Sequence, residues 1–200
     1  KILKWVKINP DEGPQQGGNY GPYFQSERAE IYKIYLNKLI EKGYAYRCFK
    51  TPEELEEIKK KQLLQKLPPR YEREKCTVSK EEEEEFLNGN KPFIWRLKIP
   101  NGKTYIFDKV RGKIEYDLLN FSDSPLTRQD ETFTFLFSNF VDDVEMKITN
   151  VIRGEEHSSN TAIQSALYDI FEFEKPQFYH LPLICDLNGK KLSKRDFGFS

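Results

Sequence analysis

The chain has 200 residues, enough for one large domain or two small ones and for a sizeable buried core. Its 32 lysines and arginines balance 32 aspartates and glutamates, so any polyanion site has to be a local patch. No apolar run approaches membrane-spanning length, "KILKWVKINPDEGP" lacks the apolar core of a secretion signal, and Cys48, Cys76 and Cys185 are too sparse for a disulfide framework, which points to a reducing interior.

Three regions follow one another. Residues 1–43 open with a short apolar piece, Ile2, Leu3, Trp5, Val6 and Ile8, and a loop rich in Gly, Pro and Gln. A helix is predicted next, with Ser26 as its cap and Gly43 as its stop. Ile31, Ile34, Tyr35, Leu36 and Leu39 fall at helical spacing and form its core face.

In residues 44–126, "TPEELEEIKKKQLLQ" carries a capping box at Thr51 and Glu54 with proline at the first helical position. "KEEEEEFLNGN" predicts a short acidic helix that ends at Asn88-Gly89, its run from Glu81 to Glu85 a solvated face that repels RNA phosphate. Phe93, Trp95, Leu97 and Ile99 alternate with Ile94, Arg96 and Lys98, the period of a strand, and Asn101-Gly102 predicts a hairpin into "KTYIFD". "KVRGKIEYD" reads as one more strand. The region is expected to form a small α+β unit.

Residues 127–200 read differently again. "KITNVIRG" predicts a strand, "SSNTAIQSALYDIF" a helix and "QFYHLPLIC" a second strand. Strand, crossover helix and strand make a parallel unit, and such units hold ligands at the carboxyl ends of their strands. Arg153, Gly154, Glu155, Glu156 and His157 follow the first strand; the turn "DLNGKKLSKRD" follows the second. Both charged clusters are therefore expected at one rim. Lys190, Lys191, Lys194 and Arg195 surround Ser193, and such crowding requires either screening by water or an anion between them. His157 is expected to hydrogen-bond at a helix start and His180 to belong to the packed strand. No Gly-x4-Gly-Lys-Ser/Thr occurs, so a P-loop nucleotidase is excluded.

In sequence, "LKWVKINPDEG", "YGPYFQSERAEIYKIYLNKLIEKGYAYRCF", "VDDVEMKITNVIRGEEHSSNTAIQSALY" and "HLPLICDLNGKKLSKRD" resemble, in order, long blocks of the glutamyl-tRNA synthetases, class I aminoacyl-tRNA synthetases. "KLSKR" corresponds to the signature loop usually written KMSKS. The resemblance implies an α/β chain: a partial Rossmann-like nucleotide-binding fold with an inserted small α+β domain that meets the tRNA acceptor stem. Residues 1–43 would be part of the catalytic domain, 44–126 the insertion, and 127–200 the second half, ending in the signature loop. The implied activity is ATP-dependent ligation of L-glutamate to tRNA(Glu) through a glutamyl-adenylate, in the cytoplasm or an organellar matrix, by a monomer whose partners are tRNA, glutamate and ATP, with Mg2+ accompanying the nucleotide.

Residue by residue, the resemblance implies that Lys194, and more weakly Lys191, stabilise the ATP phosphates. Arg153 would bind the glutamate substrate, Glu156 would contact ATP, and the Ile184 main chain would meet adenine. Phe135 stands where the family usually has a tyrosine that touches the amino acid, and Glu131 and Phe133 depart from the same pattern. Arg70, Arg73, Lys98, Lys103, Lys109 and Arg111 are candidates for RNA-backbone contacts. Some relatives bind zinc in the insertion; here Cys48 is followed two places on by Lys50, and with only Tyr71 and Cys76 nearby no zinc is expected. The family's first ATP signature, His-Ile-Gly-His, has no counterpart among these residues. The chain thus reads as a segment of something longer, expected not to activate glutamate alone.

Other readings stay open. Arg153, Glu155 and Glu156 could form a purely structural ion-pair network. The whole could be a relative of altered specificity, charging tRNA for glutamine as well or glutamylating a modified tRNA base. It could also be an RNA-binding remnant without turnover.

Overall fold

The computed structural model describes residues 5, 7–185 and 192. They fall into two compact units, Lys1–Pro100 with Asn120–Lys147, and Asn101–Leu119 with Ile148–Ser200. The division runs through the middle segment of the sequence, assigning its last two strands to the second unit. Among the described residues, no helix is long and apolar enough to cross a membrane.

In the first unit, helix α1 (Ala29–Glu41) buries Tyr32, Tyr35, Leu36 and Leu39, while Ile34 stays exposed. Ser26 lies not at its start but in a separate 3-10 turn (Gln25–Glu27), and Arg28 is the N-cap, without a side-chain cap. Gly43 ends the helix as expected: at φ +75° it lets Gly43 and Tyr44 donate back to the carbonyls of Ile40 and Leu39. Strand β1 (Ala45–Cys48) follows, then helix α2 (Pro52–Leu64), whose Thr51–Glu54 capping box is formed in both directions. A one-turn helix α3 (Arg73–Cys76) leads to α4 (Lys80–Asn88), which has a second capping box, Ser79 with Glu82. At the end of α4 the left-handed residue is Asn90 at φ +52°, not Gly89. Strand β2 (Ile94–Leu97) comes next, and helix α5 (Phe135–Glu145) completes the unit with Phe137, Phe140 and Val141 fully buried.

The hairpin expected across Asn101-Gly102 does not form. Strand β2 pairs antiparallel with β1, with Ala45 opposite Leu97 and Cys48 opposite Ile94. Its other edge is also used: Leu97 donates to the Ser124 carbonyl, Leu126 to that of Trp95, and Trp95 to the Thr127 hydroxyl. With both edges taken, the following strand has to pair elsewhere. Nor does β2 alternate cleanly, because Arg96 is buried, stacked on the Tyr71 ring at 3.9 Å and bonded to the Asp123 carbonyl.

The second unit is a four-stranded sheet, order β4-β3-β6-β5, carrying one helix. Strands β3 (Lys103–Asp108) and β4 (Gly112–Asp117) form the hairpin, with Gly112 at φ +76° beginning β4. Strand β5 (Asn150–Gly154), a 3-10 turn (Glu155–His157), helix α6 (Ser158–Phe171) and strand β6 (Gln177–Leu181) form the predicted parallel unit, Arg153 opposite His180. Asp108 meets Phe178 in parallel, joining the hairpin to that unit. Ten residues of α6 are buried, from Thr161 to Phe171. Its polar stripe is used too: Ser165 and Asp169 both bond the hydroxyl of Thr104 on β3.

Candidate functional site

The carboxyl ends of β5 and β6 form the rim of the second unit. Arg153 leaves β5 on the face that α6 covers. Its Nε donates to His180 Nε2 at 3.4 Å, and its Nη2 donates to Thr161 Oγ1 at 2.5 Å and Gln164 Oε1 at 2.8 Å. The guanidinium also lies over the Phe178 ring, 5.6 Å from its centre. Beneath it, His180 is 1% exposed and shares its Nδ1 with Asp108 Oδ2 at 2.6 Å.

Asp108 closes the β3–β4 turn. Its Oδ1 accepts from the amides of Val110 and Arg111, and its Oδ2 from the His180 amide and ring. Burial by itself raises the carboxyl's pKa, but the His180 ring and these amides outweigh it and hold the group below the ordinary aspartate range. The native carboxyl thus binds its proton less readily than the unfolded one, so falling pH favours unfolding. The stability that Asp108 contributes is present in full above about pH 4 and is lost as pH drops further. Urea denaturation across a pH series is expected to show a smaller acid-induced loss for Asp108→Asn than for the parent; equal slopes would remove Asp108 from the acid response.

Three loops are tied together at this rim. Arg111, in the β3–β4 turn, is ion-paired with Glu155, and the other carboxylate oxygen of Glu155 accepts from the Leu183 amide at 3.3 Å. The Glu156 carboxylate folds back over Gly154, so closely that any side chain there would displace it. Ile184 is 75% exposed, and its carbonyl accepts from the Leu192 amide at 3.0 Å. That bond brings Leu192 back to the stretch that follows β6. Lys191 and Lys194, on either side of Leu192, lie outside the described residues.

Phe135 belongs to the first unit. It is the first residue of α5, is 52% exposed, and helps to line a hollow of about 520 Å³ together with Tyr32, Arg128, Asp130 and Thr132. His157 is the N-cap of α6, and its carbonyl lies 3.0 Å from the Thr161 hydroxyl.

Of the candidate RNA contacts, Arg73 is the clear correction. Its Nε and Nη2 grip both oxygens of buried Asp123 at 2.6 Å, and Nη2 also donates to the Ile99 carbonyl. Arg73 is therefore a structural cation of the first unit. Lys103 is paired with Glu115 at 2.7 Å on the exposed sheet face, and Arg111 with Glu155 as described. Cys48 and Cys76 are both buried, and the Tyr71 hydroxyl lies 3.4 Å from the Cys48 sulfur. Burial raises the Cys76 thiol pKa. Among the described residues no cluster of three or more His, Cys, Asp or Glu could hold a metal.

Sequence reasoning left Asp108, Thr161 and Gln164 without a role. Signals existed for them: an aspartate just before a turn is an Asx-turn former, and Thr161, Gln164 and Ser165 sit at helical spacing among the apolar residues of their helix.

Residues 1–200 match the family described as tRNA synthetases class I (E and Q), catalytic domain. The chain is 44% identical over 196 residues to the glutamate–tRNA ligase of Bacillus subtilis (strain 168), a match spanning 97% of this chain and 40% of that protein. It is 43% identical over 198 residues to the glutamate–tRNA ligase of Exiguobacterium sibiricum, covering 98% of this chain and 41% of the relative. Among solved structures it resembles a glutamate tRNA ligase from Elizabethkingia meningosepticum in complex with its amino acid, with a TM-score of 0.90 and 38% identity over 98% of this chain and 42% of that one. The chain thus spans about 40% of the length of the curated relatives it matches.

Proposed function

The chain belongs to the catalytic-domain family of the class I tRNA synthetases for glutamate and glutamine, its sheet is Rossmann-like, and from that premise we propose that it works within a larger synthetase that ligates L-glutamate to tRNA(Glu). Glutamate attacks first. A carboxylate oxygen bonds to the α-phosphorus of ATP, the bond to the bridging oxygen breaks, and pyrophosphate leaves. A terminal ribose hydroxyl of tRNA then attacks the carbonyl of the glutamyl-adenylate and AMP departs. Neither step calls for a side-chain nucleophile; positioning and cationic stabilisation of the phosphates carry the rate.

The roles follow from the chemistry of each group. The planar fork of Arg153 suits a substrate carboxylate. Glu156 accepts hydroxyl or amine donors of ATP, and the Ile184 main chain meets adenine. The Ile184 carbonyl has two lone pairs, of which the Leu192 amide uses one. Lys194, assisted by Lys191, stabilises the triphosphate, whose own counter-ion is Mg2+. Residues 44–126 supply acceptor-stem contacts, and the enzyme acts as a soluble monomer in the cytoplasm or an organellar matrix.

The observation that carries this reading is the shared rim: Arg153 ends β5 and Glu156 follows it, while the Leu192 amide bonds the Ile184 carbonyl just beyond β6. The full-length protein is expected to catalyse glutamate-dependent exchange of pyrophosphate into ATP in the presence of tRNA(Glu). Exchange absent with every amino acid, alongside retained tRNA binding, would establish the RNA-binding remnant instead. Phe135, exposed and without a hydroxyl, favours one second reading, an altered specificity. Charging of tRNA(Gln) or of a modified base in the same assay would reveal it.

A further inference from the structure

The guanidinium of Arg153 is not held by its own strand alone. Thr161, Gln164 and His180, each at most 1% exposed, offer it three neutral acceptors. A histidine serves as an acceptor only through an unprotonated nitrogen, and the surroundings decide which one that is. Asp108 Oδ2, already fixed by the His180 amide, lies 2.6 Å from Nδ1 and accepts a hydrogen bond from Nδ1–H. Nε2 is then left as a lone pair, 2.8 Å from the Thr161 hydroxyl and 3.4 Å from Arg153 Nε. The Thr161 hydroxyl has one proton and two acceptors in reach, the His157 carbonyl at 3.0 Å and His180 Nε2 at 2.8 Å; given to the nearer Nε2, it makes every donor in the chain point one way, Arg153 to Thr161, Thr161 to His180, His180 to Asp108. Protonating Nε2 would turn an N–H against that of Arg153. The ring plane is fixed as well, stacked on Phe178 at 5.9 Å and 12°.

We infer that His180 is a positioning residue for Arg153: its ring, locked by Asp108 into the Nδ1–H tautomer, presents a bare Nε2 that with Thr161 fixes the guanidinium for a substrate carboxylate. The inference deepens the proposed function and rests on the role given there to Arg153. Fixed orientation counts because a planar fork that already faces its target gives up less freedom on binding.

Two substitutions divide the ring's two nitrogens between them. The short amide of His180→Asn reaches the Nδ1 position and keeps the Asp108 partner but loses Arg153. The longer amide of His180→Gln places its oxygen near Nε2, keeping Arg153 and losing Asp108. In the full-length protein, His180→Asn is expected to raise KM for glutamate about tenfold, the value of one hydrogen bond to a charged group, with KM for ATP nearly unchanged. His180→Gln is expected to keep a near-parental KM for glutamate although it unfolds at lower urea. Thr161→Val, which leaves the Asp108–His180 bond intact, should raise KM for glutamate as His180→Asn does. A purely structural role for His180 predicts the reverse order, Asn better than Gln. That order, or a parental glutamate KM in both His180→Asn and Thr161→Val, overturns the inference. Should Arg153→Ala disturb glutamate and ATP equally, the role of Arg153 itself fails, which is a separate result.

Discussion

Lys194→Ala in the full-length protein is expected to slow glutamate-dependent ATP–pyrophosphate exchange by about 10²–10³-fold, or ~3–4 kcal/mol of barrier, the usual cost of losing one preorganised donor to developing charge. Attack on the α-phosphorus gathers negative charge on the departing pyrophosphate, and a compact ammonium beside it stabilises the transition state more than the ground state. On the proposed reading tRNA engages other surfaces, so its affinity should hold. Lys194→Arg retains the charge but spreads it over a larger plane and should recover only part of the rate. A variant that activates glutamate normally yet binds tRNA poorly would move Lys194 from the triphosphate to the RNA.

Asp142→Ala is expected to have the largest effect on stability, about 3–5 kcal/mol by urea denaturation, because it strands a buried cation. Asp142, on α5, accepts from Arg28 Nε at 2.6 Å, the Tyr32 hydroxyl at 2.8 Å and Gln25 Nε2 at 2.9 Å. The Arg28 side chain is 1% exposed, and without Asp142 it would be left with the carbonyls of Pro22 and Tyr20. Burial, and then the Asp142 carboxylate, push the Tyr32 phenol well above its ordinary value, so it too remains a neutral donor needing an acceptor. Removing both charges together, as Arg28→Met with Asp142→Leu, should cost less than Asp142→Ala alone. A loss below about 1 kcal/mol for Asp142→Ala would mean that water reaches the site and replaces the carboxylate.

The parallel unit β5–α6–β6 was legible in the sequence because local signals and tertiary demands agree there. Its strands are short runs built around Val151–Ile152 and Phe178–Tyr179, its helix has the right length and period, and β3 joins β6 without displacing β5. The capping boxes at Thr51 and Ser79 are local for the same reason, each needing only a partner three residues away. The turn at Asn101-Gly102 misled because a hairpin signal specifies a reversal, not which strands pair; β1 and residues 124–127 had claimed both sides of β2. Arg96 looked solvent-facing by alternation and is buried, since Tyr71 and Asp123 arrive from distant segments to meet it. At the rim, charge and family likeness point to Arg153 and Glu156 as candidates, but not to the support behind Arg153. Asp108 and His180 are 72 residues apart, and no local pattern announces a bond across that separation.

The double occupancy of β2 has a consequence for how the protein fails. Phe93–Ile99 is among the stickiest stretches of the chain, rich in aromatic and branched side chains that favour cross-strand stacking between molecules. In the folded unit it offers no open edge on which a second molecule could template, so self-association through it awaits unfolding. Anything that loosens the first unit, loss of the Asp142 carboxylate included, therefore shortens its life in a crowded cell by uncovering an aggregation seed.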